Sequence, residues 1–112
     1  MALIVYLMII KEVVLAPRFK KDFEKLDLGI QREVRDILRA IEYGDNIKGV
    51  FYRSLGRDLF GFTSVHFHDN SYRLIYRAVK NKIKIMVLMV GKRIGDKDIY
   101  DRFRELKDNR KL

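Results

Sequence analysis

The chain has 112 residues, enough for one domain with a modest core and too few for two. It contains no cysteine, which excludes a disulfide framework and thiolate metal sites and makes a reducing, cytoplasmic setting the simplest expectation. Lysine and arginine number 24 against 15 acidic residues, a net charge of +9 that points to anionic partners, either nucleic acid or a strongly acidic protein. The excess is lopsided, net +1 over residues 1–50 and net +8 over residues 51–112, so the positive potential belongs to the second half.

The apolar start, MALIVYLMII, has no basic n-region and no small-residue cleavage site, and its ten residues are too few to span a bilayer. No membrane partner is expected. Met8 opens the better strand pattern, so within one domain covering 1–112 residues 1–7 read as an upstream-start N-terminal extension, an extra strand segment or a sticky contact surface. Met8 to Ala16 is rich in β-branched and aliphatic residues and stops at Pro17, a residue suited to the first turn of a helix. From Arg18, the spacing of Phe19, Phe23 and Leu26 predicts a short amphipathic helix. Leu28 and Gly29 interrupt it, and Ile30, Val34, Ile37, Leu38 and Ile41 mark one face of a second helix ending at Gly44. These two helices should form a hairpin.

Gly44 to Gly56 holds three glycines among polar residues and reads mainly as a loop or a short irregular edge. Beyond Asp58 the apolar period switches to two. Leu59–His68, Ser71–Val79 and Lys82–Val90 are predicted strands joined by tight links at Asp69-Asn70 and Lys80-Asn81. The IKIMVLMV run is apolar at nearly every position, as expected of a central strand covered on both faces. Gly95 to Leu106 predicts a last helix, with Ile99, Phe103 and Leu106 along one side. The expected fold class is therefore α+β: an N-terminal strand, a helix hairpin, a three-stranded antiparallel meander and a short C-terminal helix.

Strand alternation places Ser64, His66 and His68 on one face of the sheet, and Arg73, Ile75 and Arg77 together on one face of the next strand. If the hairpin covers Val65, Phe67, Leu74 and Tyr76, then His66 and Arg73 point into an open groove that Arg93 closes, within reach of Tyr100. Metal-free RNA cleavage needs a base for the 2′-hydroxyl, an acid for the leaving oxygen and cations for the phosphate. His66 suits the proton transfer, because an imidazole titrates near pH 6.5 and cationic neighbours keep it neutral. Arg73 and Arg93 suit the phosphate, and Tyr100, helped by Phe60 or Phe62, suits an unpaired base. Arg53, Arg57, Arg77, Lys82, Lys84 and Lys92 are the candidate backbone-tracking, RNA-binding charges. The HFHD run offers two histidines pointing one way with Asp69, but no third ligand at a characteristic spacing, so no metal and no cofactor are expected.

The element order, the YRLIY run at Tyr72–Tyr76, the VGKR run at Val90–Arg93 and the tyrosine at Tyr100 together resemble the RelE/ParE superfamily of toxins from toxin-antitoxin modules, over about Met8 to Leu106. The resemblance is closer to RelE than to ParE. It implies a ribosome-dependent endoribonuclease (an mRNA interferase, a hydrolase of messenger RNA) neutralised by a cognate acidic antitoxin. It also implies Arg73 as a phosphate-binding arginine, Arg93 as a second cation at the scissile phosphate, and Tyr100 as the residue that stacks on or orients the nucleotide. Where RelE has two lysines at alternate positions before the YR pair, this chain has Ser64 and His66, and its spacer from Arg93 to Tyr100 is slightly longer. The alternatives are a ParE-like gyrase inhibitor, a catalytically inactive relative that binds RNA or protein, or a plain basic RNA-binding module. Homo-oligomerisation is compatible with all of them.

Overall fold

The computed structural model describes residues 11–79, 81, 83–93 and 99–109. Its core is one five-stranded mixed sheet with helices on both faces. In chain order the elements are β1 (Glu12–Leu15), α1 (Pro17–Glu24), α2 (Leu28–Tyr43), β2 (Phe51–Ser54), a 3₁₀ turn (Arg57–Leu59), β3 (Thr63–Phe67), β4 (Tyr72–Val79), β5 (Lys84–Lys92) and α3 (Ile99–Asp108). The strands lie in the order β1-β5-β4-β3-β2, with β1 parallel to β5 and all other pairs antiparallel. No helix among the described residues is long and apolar enough to cross a membrane.

The expected α+β architecture and helix hairpin are present, and the differences are local. Pro17 opens α1 as its fixed backbone angle favours, and Gly44 ends α2 in the left-handed conformation that its missing Cβ permits. Leu28 and Gly29 do not interrupt the helices; they form the first turn of α2, and the break falls at residues 25–27. Within the stretch expected to be mainly a loop or a short irregular edge, Phe51–Ser54 forms an edge strand whose register against β3 is set by backbone hydrogen bonds. Strand β3 is shorter than predicted, since Arg57–Leu59 turns as a 3₁₀ helix first. The expected first strand is described only from Glu12, and residues 1–7, Lys82 and the start of the last predicted helix lie outside the described residues.

Each face of the sheet has its own apolar cluster. On the first, Phe19, Val34, Ile37 and Ile41 of the hairpin pack on Val65, Phe67, Leu74 and Val87. The second is built by Ile99 and Phe103 of α3 against Leu59, Phe62, Ile75, Leu88 and Met89. Strand β5 serves both faces by means of a bulge: Ile75 pairs with Met89 and Tyr76 with Val87. Leu88 is thereby the extra residue, and both Leu88 and Met89 join the α3 cluster. Phe62, expected on an exposed face, is buried there instead, edge-on to Phe103 at 4.8 Å.

Phe103 is the fully buried anchor of α3. Phe103→Ala should cost about 3 to 5 kcal/mol of packing, and the loss should fall first on α3. Hydrogen exchange should accelerate across 99–108 while amides in β4 and α2 keep their protection; uniform acceleration throughout the chain would contradict a separately docked helix.

Candidate functional site

The site is laid out by strand register. Across β2, β3, β4 and β5, Phe51 stands opposite His66, His66 opposite Arg73, and Arg73 opposite Gly91. One row further along, Arg53 faces Ser64 and Ser64 faces Ile75. Directly paired residues project to the same face, so this is the face that α3 covers. Beside Gly91 the Arg102 guanidinium of α3 lies 2.5 Å from where a Cβ would sit.

Tyr100, in the first turn of α3, brings the rows together. Its hydroxyl lies 2.7 Å from Ser64 Oγ and 3.4 Å from His66 Nε2, and it accepts a 3.2 Å hydrogen bond from Arg73 Nε. Arg73 also donates through Nη1 to the carbonyls of Asn70 at 2.6 Å and Tyr72 at 3.1 Å. Its acceptors among the described residues are all neutral oxygens, although the side chain is only 1% exposed. This corrects one expectation: Arg73 does not stand in an open groove but lies beneath α3, holding Tyr100 and the β3–β4 turn. That turn needs holding, since His68, Asp69 and Asn70 all take positive φ values of 53°, 51° and 68°.

Beside this network runs a groove of about 400 Å³ lined by Arg53, Arg57, Arg93, Arg104 and the Tyr100 ring. The Arg93 guanidinium sits 5.5 Å from the centre of that ring. Arg104 is oriented by Asp58 at 3.0 Å and Asp101 at 3.3 Å. Burial, then the positive charges of Arg73 and Arg53, depress the His66 imidazole below its ordinary pKa of 6.5; Arg93 adds to the effect and a bond to Asn70 opposes it.

The predicted residues do not all gather here. His66, Arg73, Arg93 and Tyr100 come together, and Arg53 and Arg57 join them at the groove. Arg77 instead lies over the Phe62 ring in a hollow with Val14, Met86 and Lys107, away from the arginine groove. Lys84 begins β5, paired with Glu12 and Val79 at the far end of the sheet. Lys92 lies over Tyr72 beside Arg18 and Lys25, since strand alternation sends it to the hairpin face. Lys82 is outside the described residues. Sequence reasoning passed over Arg104, although its position four residues after Tyr100 puts both on one side of a helix. Ser64 was placed on the right face, but nothing local announced that a serine there would be fully buried against a tyrosine from another helix.

Comparison with solved structures identifies the fold. The chain is similar to an arginine double mutant of the toxin RelE from E. coli in the free state, with TM-score 0.64, 17% identity, and coverage of 92% of this chain and 99% of that one. It is similar also to a chain of a RelBE toxin-antitoxin complex from Mycobacterium tuberculosis, with TM-score 0.61, 23% identity, and coverage of 75% and 99%. A YoeB/ParE toxin from Agrobacterium tumefaciens gives TM-score 0.61, 18% identity, and coverage of 74% and 99%. No family model matches the chain, and no curated protein matches it. The domain thus has the fold shared by RelE, YoeB and ParE toxins of toxin-antitoxin systems.

Because its folded pKa is lowered, His66 contributes stability that is present above pH 6.5 and lost as pH falls through the folded value, where the unfolded chain is already protonated. An NMR titration of His66 should therefore give a midpoint below 6.5, and Arg53→Gln should move it upward. A midpoint at or above 6.5 in the wild type would contradict the cationic, desolvated environment.

Proposed function

We propose that this protein is the toxin of a toxin-antitoxin pair, a RelE-like, metal-independent endoribonuclease that cuts messenger RNA on the ribosome. The observation that carries the reading is the convergence of His66, Tyr100 and a buried Arg73 beside a groove of four arginines. An array of this kind suits a phosphodiester with an adjacent hydroxyl, because it supplies proton acceptor, proton donor and charge stabilisation within a few ångströms.

In this mechanism neutral His66 takes the 2′-hydroxyl proton as the 2′-oxygen bonds to phosphorus. The bond from phosphorus to the 5′-oxygen breaks, and Tyr100 gives that oxygen its proton, leaving a 2′,3′-cyclic phosphate and a 5′-hydroxyl. The hydrogen bonds from Arg73 and Ser64 offset the charge left on the phenol oxygen, and protonated His66 returns the proton across the 3.4 Å contact. Arg93, with Arg53 and Arg57 along the groove, holds the phosphate oxygens as charge grows on them. Arg73 is accordingly a positioning residue for Tyr100 and a fixed positive charge beneath the phosphate, a different role from the direct ligand that the family pattern implies. The net +8 of residues 51–112 suits both RNA and an acidic antitoxin that covers this face until it is removed. The cytoplasm, where messenger RNA is translated, is the matching compartment.

Purified protein should cut messenger RNA on programmed ribosomes, leaving 5′-hydroxyl ends. His66→Ala should reduce the rate constant by about a hundredfold or more, in the range of general acid-base contributions, and Arg93→Ala by a similar factor while folding is retained. Intact message together with inhibited gyrase supercoiling would replace this reading with the ParE-type one.

A further inference from the structure

Phe51 belongs to neither apolar cluster, and it is 66% exposed on the outermost strand of the sheet. Its neighbour Tyr52 packs against the hairpin core, so alternation sends the Phe51 ring to the opposite face, the one that carries His66 and Arg73. Register places it directly across from His66, a separation of about 5 Å between Cβ atoms for such pairs. Two residues along the same strand and on the same side, Arg53 enters the arginine groove. A large aromatic ring left bare on an edge strand invites aggregation unless something covers it. Here what lies next to it is the proton-transfer residue on one side and the phosphate groove on the other.

We infer that Phe51 is a stacking platform for the unpaired RNA base next to the scissile phosphate, on the β2 side of His66. This rests on the nuclease reading and extends it by assigning a base subsite. Every base offers a π face to such a ring, and purines offer the larger one, so the subsite favours an unpaired purine at that position without reading its edges. The alternation of ring, imidazole and guanidinium along β2 and β3 matches base, reacting ribose and phosphate along one nucleotide step. Exposed Phe60 is the other bare ring nearby, but it follows the 3₁₀ turn after Arg57 and stands in no register with His66.

The test uses ribosomes programmed with a short message carrying 2-aminopurine beside a 2′-O-methyl group at the cleavage position, so that binding is read without turnover. Wild type should quench the 2-aminopurine fluorescence; Phe51→Ala should abolish the quench, and Phe51→Trp should restore it. On cleavable message, Phe51→Ala should raise KM by about 5- to 100-fold, the range of one lost base stack, with kcat within about twofold. Unchanged KM and quench in Phe51→Ala, with a wild type that cuts, would overturn the subsite while leaving the nuclease intact. If Phe51→Ala weakens only antitoxin binding, the ring serves a protein partner and the subsite is again overturned. Quenching by a wild type that never cuts would retain the subsite and remove the nuclease.

Discussion

A buried guanidinium organises this protein's second face. Arg73 is almost wholly desolvated, and burial of a charge is costly unless its hydrogen bonds are well met. Here they are met by the Asn70 carbonyl of the adjoining turn, the Tyr72 carbonyl at the start of β4 and the hydroxyl of Tyr100. One side chain therefore ties the strained β3–β4 turn to the first turn of α3, two segments that strand pairing alone does not connect. Burial and, next, the same charge depress the neighbouring imidazole. Structural constraint and chemical preparation are one arrangement.

The two faces of the sheet divide the work. The hairpin face is apolar across all five strands and buries Val34, Val65, Phe67, Leu74 and Val87 completely, which gives β3, β4 and β5 a rigid backing. The α3 face has a smaller cluster, displaced toward the bulge in β5, and leaves its other end to polar groups. Groups held on paired strands keep their geometry better than groups on loops, which suits proton transfer over short distances. His66, Ser64 and Arg73 are held in this way. Tyr100 and Arg104 arrive on a helix whose docking depends on a few apolar contacts, so access to the site is coupled to the position of α3.

The arginine groove departs from a simple reading of the charge excess. Fifteen cationic residues lie in 51–112, yet strand alternation sends Lys92 to the hairpin face, and position along the sheet carries Lys84 and Arg77 away from the site. What concentrates the potential is the 3₁₀ turn at Arg57–Leu59, which folds Arg57 back beside Arg53 and meets α3 through the pair of Arg104 with Asp58. Arg57 takes a positive φ of 53° to do so, a conformation unusual for a residue with a side chain. Net charge left the place of the positive potential open; the turn gathers four arginines at this groove.

Period and punctuation in the sequence determined the elements themselves: Pro17 and Gly44 bounding the hairpin, the two-residue rhythm of Val65, Phe67, Leu74 and Tyr76, and the unbroken apolar run of β5. They also determined that His66 and Arg73 share a face, because alternation is a local property of a strand. What only the tertiary structure decided was depth and partnership. Whether Arg73 faces solvent or lies beneath α3, whether Phe62 is bare or packed, whether 51–54 pairs as a strand, and which oxygen meets which nitrogen at Tyr100 all depend on contacts between residues 9 to 41 positions apart. Such contacts are settled by packing and by register across the sheet, and the rhythm of a single segment carries no record of them.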